Sequence, residues 1–206
     1  MRLLLAVFLW VKLKYIKCDL RVLKISTFKM IVANTTDPIN PFYTDLVEAI
    51  DLVYNKCGFK CSDPIAEVES TGYGAYTFLI NGNTVKYRVA NITPTKTGQF
   101  VTLWKRAVNG PIQPFDISDN IKFYIISTKN DHHAGQFIFP ESVLYGKGIL
   151  SGNNKEGKRA TRVYPPWDIA TSRQALQTQQ WQSDYFLMVP KHGMPDLVRA
   201  KMLLAK

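Results

Sequence analysis

Apolar side chains change period several times along this chain, and each change marks an element. Phe42, Leu46, Ala49, Ile50 and Val53 recur at helical spacing behind Asn40-Pro41, a pair suited to cap and open a helix. That helix is predicted to run to about Lys56, with Cys57 at its end and Gly58 as the stop signal. Two strands, 73–80 and 84–91, follow around Asn81-Gly82, a dipeptide that favours a two-residue hairpin turn. Such a turn sets Phe78 opposite Val85 and Tyr76 opposite Tyr87 on one face, which leaves Tyr73, Thr77, Lys86 and Arg88 on the other. Phe100, Val101, Leu103, Trp104, Ala107 and Val108 fit the i, i+3, i+4, i+7 pattern, predicting an amphipathic helix that Asn109-Gly110-Pro111 ends.

The second half reads as shorter pieces. Apolar runs predict strands at 121–127 and 135–139, separated by the polar turn Asp131-His132-His133, and a third strand at 159–164. A short helix is expected from Pro140 to Tyr145, a Gln-rich one from Ser172 to Tyr185, and a tail helix from Pro195 to Lys206. Alternation of a hairpin with helices favours a single α+β domain, an antiparallel or mixed sheet of about five strands flanked by helices, over a doubly wound fold. With 206 residues and 46% apolar content, the chain can bury a core without covalent staples, and disorder is excluded.

Charge sharpens this picture through its distribution. Residues 1–29 hold seven of the 26 Lys and Arg against Asp19 alone, so +6 of the net +10 lies there and +4 in the rest. From Asp37 to Glu69 there are seven acids and two bases, whereas Ser70 to Phe115 carries five bases and no acid. A second block, Ser142 to Trp167, has five bases and only Glu156. This segregation is the electrostatic footprint expected of a protein that binds a polyanion.

Residues 1–29 are expected to be an upstream extension outside the fold, with a degenerate export signal or an interfacial anchor as the alternatives. Leu3 to Val11 imitates a signal peptide but lacks a small-residue cleavage site, nine apolar residues fall short of the about 20 that a bilayer needs, and Met30 reads as a normal start. No membrane association is therefore expected. Cys18, Cys57 and Cys61 are odd in number and lack a nearby His or second pair for a tetrahedral zinc site, which fits a reducing compartment, expected to be the cytoplasm. No metal, cofactor or catalytic residue is indicated.

Two basic, aromatic-laced runs carry the candidate chemistry: Thr93 to Arg106, TPTKTGQFVTLWKR, and Gly157 to Asp168, GKRATRVYPPWD. Together with Phe137-Ile138-Phe139-Pro140 and Gln180-Trp181-Gln182, they resemble the conserved segments of the MepB family, small bacterial proteins, over about Asp37 to Phe186. The resemblance implies a MepB-like domain at 37–190, with 191–206 as the tail, cytosolic residence, and nucleic acid as the suspected partner.

The residues themselves support the same expectation. Lys86, Arg88, Lys96, Lys105, Arg106, Lys158, Arg159 and Arg162 are candidates to neutralise phosphates of DNA or RNA, with Tyr73 or Trp167 stacking a base. If a helix starts near Thr93-Pro94-Thr95-Lys96-Thr97-Gly98, its free N–H groups, Thr93, Thr97 and Lys96 form a phosphate seat. Gly152 to Lys158 fits G-x-x-x-x-G-K, but Arg159 stands where a nucleotide-binding loop has Ser or Thr, so a flexible cationic loop is expected instead. Two alternatives remain open: a divalent-metal-dependent nuclease using Glu156 or Glu67 and Glu69 with Lys158, and an accessory factor that binds an acidic protein.

Overall fold

The computed structural model describes residues 40–69, 74–106, 110–190 and 193–205. The candidate Tyr73, Cys18 and the extension 1–29 lie outside the described residues. Helix α1 (Pro41–Ala49) opens at Pro41 as expected, widens into a π segment (Ile50–Tyr54) and stops at Gly58, whose φ of +86° only glycine adopts freely. A six-stranded mixed sheet then forms in the order β1 (Ile65–Ala66), β2 (Tyr76–Ile80), β3 (Asn83–Val89), β8 (Phe123–Lys129), β9 (Ala134–Pro140) and β11 (Phe186–Met188). Only β3 and β8 run parallel; every other neighbour pair is antiparallel. The hairpin register is the expected one, with Tyr76 opposite Tyr87 and Phe78 opposite Val85 around Asn81 and Gly82, both at positive φ.

Both faces of this sheet are buried, which explains why β8 reads as a continuous apolar run, Phe123-Tyr124-Ile125-Ile126, rather than an alternating one. Tyr76, Phe78, Val85, Tyr87, Phe123, Ile125, Ile138 and Leu187 pack toward α1, its π segment and helix α4 (Leu197–Leu204), which contributes Ala200, Leu203 and Leu204. Tyr124, Ile126, Phe137 and Phe139 face a second core built with Val101, Leu103, Phe115, Leu144 and Val163. Over that second face lie a three-stranded antiparallel sheet, β10 (Ala160–Val163), β5 (Lys96–Thr102) and β4 (Asn91–Thr93), a ribbon of β6 (Trp104–Arg106) and β7 (Ile112–Pro114), and helices α2 (Glu141–Gly146) and α3 (Arg173–Ser183). The expected α+β class is what the chain forms. No helix among the described residues is long and apolar enough to cross a membrane.

Strands β1, β7 and β11 were not expected, and one segment changes type altogether. The segment from Phe100 to Arg106, expected as helix, is extended: Phe100 pairs with both Arg162 of β10 and Asn91 of β4, and Trp104 opens β6. Two strand partners flanking β5 satisfy its backbone on both sides, and that outweighs a mixed apolar run whose buried pair Val101 and Leu103 also fits a period of two. Gly98, at φ +81°, breaks any helical start, and no phosphate seat at a helix N-terminus forms there.

Candidate nucleic-acid interface

The expected site residues divide into two groups. In the first, β3 presents Lys86 and Arg88 to the second face of the sheet, where the turn Asn81-Gly82 and the alternation of the strand must send them. This face is covered. Glu67, just after β1, accepts from Arg88 Nη2 at 2.5 Å, from Lys86 Nζ at 2.8 Å and from the Thr77 hydroxyl at 2.8 Å. Arg88 is 1% exposed, donates also to the Tyr87 carbonyl at 2.9 Å, and lies over the buried Phe115 ring. Burial acts to raise the Glu67 pKa, but the Arg88 charge and the hydrogen bonds from Arg88 and Lys86 outweigh it and hold the carboxyl below its ordinary range. Lys105 pairs with Asp119, the residue that closes the capping box with Asp116, and Arg106 pairs with Glu69 at 2.5 Å. Lys86, Arg88, Lys105 and Arg106 are therefore each held by a carboxylate of the same chain.

The second group sits on the three-stranded sheet. Opposite Phe100 in the register, Arg162 reaches back across β5 and donates to the Gly98 carbonyl at 2.9 Å, the Lys96 carbonyl at 3.5 Å and Thr93 Oγ1 at 2.8 Å. Its guanidinium lies 5.8 Å from the centre of the Phe100 ring. These partners are neutral, and no ion pair forms at Arg162 or Lys96 among the described residues. Lys96 and Thr97 are exposed and line, with Trp167, a cavity of about 390 Å³. Lys158 and Arg159 lie just before β10; Arg159 donates to the Ile112 carbonyl and meets Glu156 in an exposed pair at 2.8 Å, while Lys158 is exposed. The structure thus brings Thr93, Lys96, Thr97, Arg162 and Trp167 together, and leaves Lys86, Arg88, Lys105 and Arg106 in a separate cluster.

Several residues of this second region escape sequence reasoning. Gln182, 1% exposed, accepts from the Tyr164 N–H at 2.8 Å and donates to the Arg162 carbonyl at 3.0 Å. Gln179 donates to the Pro165 and Asp168 carbonyls at 2.9 and 2.8 Å. The Gln-rich helix α3 therefore pins the Val163 to Asp168 segment rather than presenting an ordinary polar surface. His133 stacks on Trp167 with ring centres 5.2 Å apart and planes 15° apart, although the two are 34 positions apart in sequence. Only the Pro-Pro-Trp-Asp string hinted at a shaped loop here.

The carboxylates that a nuclease would need are each engaged by a cation: Glu67 by Lys86 and Arg88, Glu69 by Arg106 and Glu156 by Arg159. Among the described residues no group of three or more His, Cys, Asp or Glu side chains is gathered as a metal site. Comparison with known proteins converges on one group. A family model described as MepB-like matches residues 67–188, a span that starts at the Glu67 cluster and includes the whole three-stranded sheet. No curated protein matches the chain. The crystal structure of MepB is similar with a TM-score of 0.61 at 37% sequence identity, covering 64% of this chain and 89% of that one. With a match over more than half of its length and a solved relative of the same fold, this chain belongs to the MepB-like family.

Proposed function

We propose that the protein binds nucleic acid through the face formed by β4, β5, β10 and the loop that follows, with Lys96 and Arg162 neutralising phosphates and Lys158 and Arg159 extending the contact. The observation that carries this reading is the state of Arg162. Its guanidinium is oriented by two carbonyls and a hydroxyl and meets no carboxylate among the described residues, which leaves a positioned charge for an incoming phosphate. Thr93 and Thr97 border the same surface, and the His133–Trp167 pair supplies an aromatic platform of the kind on which bases stack. The reading locates this role in the cytoplasm, in keeping with the free Cys57 and Cys61.

Equilibrium binding of a fluorescent single-stranded oligonucleotide, measured across a salt series, tests it. Affinity is expected to fall steeply with salt, and Lys96→Ala is expected to reduce the log–log slope by about 0.7, the contribution of one phosphate contact to a single strand. Lys86→Ala, which removes a cation already paired with Glu67, is expected to leave the slope unchanged. Absence of binding at low ionic strength, or binding that ignores salt, overturns the reading. Binding to an acidic protein instead, insensitive to added nuclease, would assign the face to a protein partner.

A further inference from the structure

A larger cavity, of about 550 Å³, lies at the end of the six-stranded sheet where β8 turns into β9. Helix α1 lines it with Asp45 and Glu48, the π segment with Leu52, the β8–β9 turn with Lys129 and Asp131, and β9 with Gln136. Three carboxylates against one lysine give this lining a net charge of −2. Lys129 is already engaged by Asp45 at 2.5 Å, and no ion pair forms at Glu48 among the described residues. The charge is of the wrong sign for phosphate and of the right sign for a cation.

Gln136 adds an observation of a different kind. It is 2% exposed, and one end of its amide accepts from the Tyr54 hydroxyl, itself wholly buried. The amide nitrogen at the other end has no partner among the described residues. Unlike the Tyr124 hydroxyl, which is sealed in the core, that nitrogen keeps accessible surface, and the residue lines the cavity. Buried donors are seldom left unpaired, so a ligand seated here is expected to bring an acceptor as well as a positive charge. Leu52 and Ile92, 43% and 64% exposed, line the same cavity and add apolar surface that a ligand larger than the cavity would cover.

We infer that this cavity docks an arginine-bearing segment of a partner protein. The inference rests on the cavity alone and does not depend on the nucleic-acid reading. An arginine residue carries the three groups that the lining calls for: a guanidinium whose parallel N–H groups match a carboxylate such as Glu48, an aliphatic stem that packs on Leu52, and a backbone carbonyl that accepts from Gln136. Apolar residues on either side of it cover the exposed Ile92 and Leu52. Lysine supplies the charge without the paired donors, and an acidic peptide is rejected by its sign.

The test titrates the full chain, nitrogen-labelled and followed by NMR, with a blocked tripeptide of arginine between two leucines and with its counterpart in which citrulline, uncharged and of nearly the same shape, replaces the arginine. The arginine peptide is expected to bind about tenfold more tightly than the citrulline one, the size of a charge-assisted hydrogen bond. Glu48→Gln, a change at an exposed position, is expected to weaken the arginine peptide about fivefold and leave the citrulline peptide as it was, whereas a merely loosened cavity would weaken both. The side-chain amide resonance lost in Gln136→Met is expected to shift with the arginine peptide; should that variant fail to fold, the Glu48→Gln comparison still decides. Equal binding of the two peptides, or binding of neither, overturns the inference. Blocked arginine alone binding as tightly as the tripeptide assigns the cavity to a small cation and overturns the protein partner.

Discussion

Two clusters of cations in this protein look alike in sequence and differ in everything that decides their use. Around β3, Lys86 and Arg88 meet Glu67 inside the fold, and Lys105 and Arg106 meet Asp119 and Glu69. Around β5 and β10, Arg162 is held by neutral oxygens, and the nearby carboxylate Asp168 forms no ion pair among the described residues. The acids answer in opposite senses: Glu67 is held below the ordinary range by its cations, Asp168 is pushed above it by burial. A basic run in sequence therefore says little about available charge until the location of the acids is known. Here the acid-rich stretch before residue 70 supplies Glu67 and Glu69 to the first block and none to the second.

This contrast can be broken at Glu67. Removing it as Glu67→Ala leaves the Arg88 guanidinium buried without its counter-charge, and urea unfolding is expected to show a loss of about 3 kcal/mol. A loss below 1 kcal/mol would mean that the cluster is no more than a surface network. The second region has its own backbone requirement. A Cβ on Gly98 would fall 2.6 Å from the Tyr164 ring, and its φ of +81° disfavours any L side chain, so Gly98→Ala is expected to cost about 2 kcal/mol and to weaken oligonucleotide binding with it.

Acid titration sharpens the comparison further. Because the folded Glu67 pKa is lowered, its contribution is fully present above the ordinary Glu value of 4.5 and is lost as pH falls through the folded value. Glu67→Gln is expected to flatten the decline of stability below that pH, read as the urea midpoint against pH. The smallest effect belongs to Lys96→Ala, whose side chain is exposed and makes no ion pair: stability is expected to stay within about 0.5 kcal/mol while the salt slope of binding changes.

Much of the framework was legible in sequence because local signals and tertiary packing agreed there. Asn81-Gly82 set the hairpin and its register, Pro41 and Gly58 bounded the first helix, and Ser172 caps α3 by accepting from the Ala175 N–H. The segment 96–106 misled because its apolar positions satisfy two periods at once, and only the pairing of β5 with β4 and β10, the latter about 60 residues away, decides between them. Lys86 and Arg88 were placed on the right face of the hairpin, yet what covers that face, Glu67 and Phe115, comes from outside it. The cavity groups Gln99, Trp167 and Asp168 were separately visible as residue types, but their meeting depends on that same long-range pairing.

The amide of Gln182 has a consequence for solubility. Among the described residues no strand pairs beyond β10, so its outer edge would expose the Arg162 carbonyl and Tyr164 N–H as a template for another chain. Gln182 accepts from one and donates to the other, which makes its side chain act as a one-residue strand sealing that edge. A helix side chain thus covers part of that edge, and loss of this single amide would leave two backbone groups open to pairing with another strand.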